Sequence, residues 1–177
     1  MDSRGLTWLK KYGLTNKEID DNFFWDDRGY CVFNTEGFQN ARNFNEGTKY
    51  VTRGVIKGNE HIFRSSRTGS SQENDQLLSS IVITEDAISA IKVSRTCNAV
   101  AAHKATIGLE LILRLSREFK HLIIWLDKDR ASKVGLEATK AYPYFDSVRV
   151  VISDKDPKEY DDRVIASKIL IDKVHLQ

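Results

Sequence analysis

Four short apolar runs punctuate the second half of the chain, SIVIT, NAVAA, HLIIWL and SVRVVIS, and a helical pattern follows each of them. Runs of this length, bounded by polar residues, suit buried strands better than helices. The intervening stretches EDAISAIKVSR, TIGLELILRLSREF and SKVGLEATKAY, and the tail KEYDDRVIASKILIDKV, read as helices. Ile112, Leu115 and Phe119 fall on one helical face. Strands alternating with helices imply an α/β fold, a parallel sheet with helices packed on its faces.

The first region, residues 1–64, has a different rhythm. TNKEIDDNFFW opens with Thr15 and, three residues on, Glu18, the signature of a capping box and a short helix. RGYCVFNT, KYVTRGVI and EHIFRS read as short strands with glycine punctuation, a small α+β unit. Between the regions lies SSRTGSSQENDQLLSS, residues 65–80, polar until Leu77, which reads as a linker or long surface loop. The expected organisation is a subdomain at 1–64, a linker at 65–80 and an α/β domain at 81–177.

Composition excludes several classes. The 177 residues are 41% hydrophobic and 29% charged, enough for a core, and the net charge of +2 favours no partner. Cys31 and Cys97 form no CxxC pair, so no zinc finger of the usual spacing is expected, and both read as core thiols. No apolar run reaches membrane length and the N-terminus lacks a leader's apolar core. A cytoplasmic protein is expected, in the host cytoplasm if the chain is viral.

The acids fall in a pattern. Glu85 follows SIVIT, Asp127 and Asp129 follow HLIIWL, and Asp154 and Asp156 follow SVRVVIS. In a parallel sheet, functional groups gather beyond the C-terminal strand ends. If these strands are neighbours, the carboxylates converge, and crowded carboxylates call for a cation. Hard oxygen donors without His or Cys favour Mg²⁺ or Mn²⁺, and such a site suits phosphoryl transfer. Taken singly, Asp129 also suits a helix N-cap and Asp154–Asp156 before Pro157 also suit a turn.

IVITEDAISAI, IIWLDKDRASK and DKDPKEY together resemble the TOPRIM domain of primases and topoisomerases, over residues 81–160. The likeness is to the catalytic core of bacterial-type phage DNA primases. It implies a Rossmann-like parallel sheet and a site of Glu85, Asp127, Asp129 and Asp156, with Glu159 as a helper. GLTNKEIDD, WDDRGYCVF and NARNFNEGTKYVTRG resemble the N-terminal subdomain of phage primase cores, and Arg42 and Lys49 stand where basic residues meet template and nucleotide phosphates. The resemblance implies primer synthesis from ribonucleoside triphosphates on single-stranded DNA, with Mg²⁺ or Mn²⁺. It also implies a replicative helicase as partner and a zinc-binding domain supplied in trans or on a longer chain. This chain departs from the family pattern at Asp86, Ser89 and Ser132, and at His103-Lys104-Ala105, where relatives often carry a glycine-rich turn.

Residues 42–67 carry Arg42, Lys49, Arg53, Lys57, Arg64 and Arg67 against Glu46 and Glu60. A basic surface beside an acidic site suits a polyanion that crosses both. Phe38, Phe44 and Tyr50 lie among these cations, as base-stacking groups or as core. Lys104 and Lys133 are candidates for phosphate contact, whereas His61 and His121 read as structural. Two other readings stay open: a TOPRIM nuclease or topoisomerase-like fragment, and a non-catalytic nucleic-acid-binding module of a replisome.

Overall fold

The computed structural model describes residues 3–35, 38–55, 58, 60–66, 72–104 and 106–170. Lys57, Arg67 and His175, and the side chains of Lys128 and Ser132, lie outside the described set. Contacts divide the chain into two units, 1–59 and 60–177.

The first unit begins with helix α1, Ser3–Lys11, which the sequence reading does not anticipate. Gly13, in the left-handed region at φ 75°, closes it by donating its N–H to the Lys10 carbonyl. A Cβ at Gly5 would stand 2.7 Å from Trp25 Nε1, so only glycine lets α1 approach that ring. Helix α2, Asn16–Asn22, starts at the expected capping box: Glu18 N–H donates to Thr15 Oγ1, and Thr15 N–H donates to Glu18 Oε2 at 2.7 Å. Strands β1 (Phe23–Trp25), β2 (Cys31–Thr35), β3 (Phe38–Arg42) and β4 (Tyr50–Gly54) then form an antiparallel sheet in that order. FFW, at the end of the stretch that the capping box opens, is a strand. Asn22 is the last helical residue, and Phe23 turns extended and pairs with Phe33.

In the second unit, β5 (Ile62–Phe63) pairs antiparallel with β7 (Asn98–Ala101). EHIFRS therefore contributes to the second sheet rather than to the first region. Helix α3, Gln72–Leu78, and the start of β6 (Ser80–Thr84) occupy much of the expected linker. The Ser79 and Ser80 hydroxyls both donate to the Gln76 carbonyl at the helix end. The buried Asn98 amide donates to the carbonyls of Leu78 and Ser80, each at 3.0 Å, and its Oδ1 accepts from Ser65 N–H.

Helix α4 (Ala87–Ser94) follows β6, and α5 (Leu109–Ser116) follows β7. Then come β8 (His121–Ile124), α6 (Ala131–Ala141), β9 (Ser147–Val150) and α7 (Asp162–Leu170). The sheet order is β5-β7-β6-β8-β9, with β7, β6, β8 and β9 parallel. β6 is buried at every position because strands flank both its edges and helices cover its side chains on the sheet faces. Ile81, Ile83, Val100, Leu122 and Ile124 meet Leu111, Ile112, Leu115 and Phe119 in one core. The apolar face expected on α5 is thus the face that covers the sheet. Both cysteines are buried, and burial pushes the Cys31 thiol up to about 12. Among the described residues, no helix is long and apolar enough to cross a membrane.

Candidate functional site at the sheet's C-terminal rim

The acidic strands are neighbours. β6, β8 and β9 lie side by side and parallel, so the segments leaving their C-terminal ends emerge on one rim. The ladder continues past the strands: Trp125 N–H donates to the Ile83 carbonyl and Val151 N–H to the Ile124 carbonyl, each at 2.9 Å. These bonds fix where Asp127 and the segment bearing Asp156 leave the sheet.

The acids gather around two cations. Lys158 Nζ stands 2.8 Å from Asp86 Oδ2, 3.1 Å from Asp156 Oδ2 and 3.3 Å from Asp127 Oδ2. Arg130 Nε lies 3.7 Å from both Glu85 Oε2 and Asp129 Oδ2. Asp129 is largely exposed on the 3-10 turn Lys128–Arg130. Asp127 is largely buried, its Oδ1 without a hydrogen-bond partner, and Glu85 Oε2 is likewise buried without one. Burial, then the facing Asp86 carboxylate, pushes Asp127 up to about 7, with Lys158 opposing. Burial also raises Glu85, against the pull of Arg130. The Lys158 ammonium is held protonated: burial disfavours its charge, but Asp86, Asp127 and Asp156 outweigh that and raise its pKa.

Local structure explains the departures at Asp86 and Ser89. Asp86 caps α4, accepting from Ser89 N–H and from Ser89 Oγ, each at 3.0 Å. The two unexpected residues therefore satisfy one another and still leave Asp86 facing Lys158. Asp156 opens a 3-10 turn at Pro157, and Glu159 accepts from the Asp156 N–H at 3.0 Å. Glu159 is thereby turned back onto its own loop. Asp154 lies apart from the Lys158 cluster, accepting from the Tyr160 hydroxyl, which lowers its pKa. Buried Lys92 on α4 donates to the carbonyls of Lys158 (3.0 Å) and Tyr160, tying this loop to the helix.

Nothing in the local sequence singles out Lys158, Lys92 or Glu137, or pairs Arg130 with Glu85. Buried Glu137 on α6 accepts from the Ile107 N–H at 3.1 Å and pairs with Lys140, securing the segment that precedes α5. The order Asp-Pro-Lys-Glu was visible, but nothing local says where Lys158 reaches.

His103 and Lys104 follow β7 on the same rim. His103 is the described non-glycine residue with positive φ, at 53°. Its N–H donates to the Glu85 carbonyl at 2.9 Å, and burial lowers its pKa to about 4, so its ring is neutral near pH 7. Lys104 and Lys133 are exposed.

In the first unit, Arg42 is enclosed by rings. Its guanidinium lies 4.5 Å from the Trp8 ring, 5.2 Å from Phe44 and 5.1 Å from Tyr50, and it donates to the Tyr50 hydroxyl. Lys49 is exposed near the Tyr50 ring. Arg53 pairs with Asp26 at 2.9 Å. Phe38 is core, whereas Tyr50 is exposed.

A divalent cation fits the rim in donor chemistry. The donors are hard carboxylate oxygens, and two of them are buried without hydrogen bonds. The arrangement does not fit: among the described residues, no three Asp, Glu, His or Cys side chains are disposed to hold an ion. The Lys158 ammonium already stands among three of the acids.

No protein-family model matches the chain, and no curated protein matches it. Solved structures do. The zinc-binding and RNA polymerase domains of the Aquifex aeolicus primase match at TM-score 0.63 and 13% identity, over 95% of this chain and 55% of that one. The DnaG catalytic core matches at 0.64 and 15%, over 88% of this chain and 67% of that one. The primase fragment of the bacteriophage T7 primase-helicase protein matches at 0.54 and 15%, over 90% and 71%. The chain thus spans about half the length of the Aquifex chain it matches. These likenesses show that the chain shares the α/β fold of those solved structures.

Proposed function

We propose that this chain is a primase-type nucleotidyltransferase core that makes short RNA primers on single-stranded DNA. The observation that supports the reading is the convergence of acidic side chains from three adjacent parallel strands on one rim of a primase-like fold. Carboxylates collected in this way suit a reaction in which negative charge develops on phosphate, provided cations offset it. Glu85, Asp127, Asp129 and Asp156 are the proposed working acids. Mg²⁺ or Mn²⁺ would supply alignment and charge neutralisation there, and would need these acids in an arrangement other than the one described.

In the proposed reaction, the 3′-hydroxyl of one ribonucleoside triphosphate attacks the α-phosphate of a second, and pyrophosphate leaves. Arg42, Lys49, Arg53, Lys57, Lys104 and Lys133 are proposed phosphate contacts, for template and nucleotides together. The exposed Lys49, Lys104 and Lys133 suit that role most simply. Arg53 must share its charge with Asp26, and Arg42 its face with three rings. A replicative helicase and a zinc-binding domain acting in trans are the proposed protein partners.

The test incubates the protein with single-stranded templates of varied sequence, labelled ribonucleoside triphosphates, and Mg²⁺ or Mn²⁺. Oligoribonucleotides are expected with wild type and not with Asp127→Ala. No product on any template, or equal product from Asp127→Ala, overturns the reading. Nicked plasmid in the same buffers, without primers, would favour a nuclease.

A further inference from the structure

One charged side chain lies inside an otherwise uncharged stretch of helix. Every residue of α4 from Ala87 to Val93 is buried, and Lys92 is the charged one among them, 6% exposed. Burying an ammonium is costly unless good acceptors meet it, and a side chain there to fill space would be apolar. Lys92 Nζ meets two acceptors, the carbonyls of Lys158, at 3.0 Å, and of Tyr160. One ammonium thus grips the main chain of the turn Pro157–Glu159 and of the residue that follows it. Asp156 opens that turn, and its carboxylate stands with those of Asp86 and Asp127 around Lys158 Nζ. The same loop is tied to the end of β8: the fully buried Trp125 donates from Nε1 to Ser153 Oγ at 2.8 Å, and its ring lies 5.9 Å from that of Tyr160.

We propose that Lys92 is a positioning residue, whose ammonium sets the turn at Pro157–Glu159 and so places Asp156 on the rim. It acts through the main chain. An apolar side chain at position 92 would leave two buried carbonyls to find other donors, and the turn would shift to supply them. Asp156, two residues before Lys158, moves with the turn, and so does the Tyr160 ring beside Trp125. A displacement of about 1 Å at a reacting group is enough to cost up to about a hundredfold in rate. The effect on rate rests on the proposed primer synthesis; the hold on the turn does not.

Fluorine NMR of the full chain labelled with fluorotryptophan tests the hold on the turn. Lys92→Met is expected to shift the Trp125 resonance, assigned by its loss in Trp125→Phe, and to leave those of Trp8 and Trp25 in place. An unmoved Trp125 resonance overturns the inference. Primer synthesis tests the consequence, at a temperature where the variants are folded. Lys92→Met is expected to lower kcat at least about tenfold, with KM for ribonucleotides within about twofold. Leu115→Ala, weakened in the core beneath α5, is expected to keep the wild-type kcat. On an Asp156→Asn background, Lys92→Met is expected to cost less than about twofold more, because it acts through that acid. Equal losses of kcat in Lys92→Met and Leu115→Ala, or the full further loss on Asp156→Asn, overturn the inference. If the wild type makes no primers, the proposed function falls and the fluorine resonance alone decides this question. Where Lys92→Met does not fold, Lys92→Gln, which keeps an N–H donor, takes its place. If neither folds, Lys92 serves folding as a whole and the inference fails.

Discussion

The two units hold their charges in different ways. In the first, Arg42 lies against the faces of Trp8, Phe44 and Tyr50, and the edge strand β4 alternates between exposed and half-buried residues. In the second, charge is expelled from a sheet whose central strand is fully buried, and collects at the rim as carboxylates around Lys158 and Arg130. The first pattern holds a cation against aromatic faces beside a half-open strand. The second leaves partly buried acids that need a cation at all times. The difference teaches that a parallel sheet concentrates chemistry at one edge, whereas a small antiparallel sheet spreads it along a face.

If that contrast is right, the second unit depends most on its core. Leu115→Ala, at a fully buried position under the sheet, is expected to cost about 3 kcal/mol in equilibrium urea unfolding. A loss below about 1 kcal/mol would mean that α5 is not the covering helix.

The rim adds a pH dependence. Burial holds the folded pKa of His103 below its unfolded value, so between about 6.5 and 4 the unfolded chain binds the extra proton. Stability from this group is present above that window and is lost as pH falls through it. His103→Asn, which tolerates the left-handed backbone, is expected to remove about 2 kcal/mol of that acid loss relative to wild type. Glu85 and Asp127 titrate with the opposite sign, being raised by burial, but they are common to both proteins and cancel in the difference. Parallel stability curves for the two proteins between pH 4.5 and 7.5 would show that His103 is not buried neutral.

In the first unit the expected effects are smaller. Thr15→Ala removes the capping box at α2 and should cost about 1 kcal/mol. Lys17→Ala, which breaks the exposed pair with Asp21, is expected to change stability by less than about 0.5 kcal/mol. An effect of Lys17→Ala as large as that of Thr15→Ala would mean that surface charge carries more of this unit than the geometry implies.

Much of the second unit was legible because buried strands and amphipathic helices write different periods. SIVIT, NAVAA, HLIIWL and SVRVVIS each contain the strand they suggested. The first unit was less so. FQNAR has almost no strand character and is a strand only because Val32 and Val51 flank Ala41 across β2 and β4. QENDQLL looked like linker because it is polar, yet its residues form α3. At the rim, Glu85, Asp127 and Asp156 could be singled out because each follows a strand. Lys158 could not, since it meets Asp127 and Asp86 across 31 and 72 residues of sequence, a juxtaposition that only strand order creates.

The most direct test asks whether the acids act as one unit. Primer synthesis would be measured for Asp127→Asn, Asp156→Asn and the double variant. Each single change is expected to lower the rate at least about a hundredfold, with the double change scarcely worse than either. Losses that multiply, or a single variant with wild-type rate, would contradict a shared site.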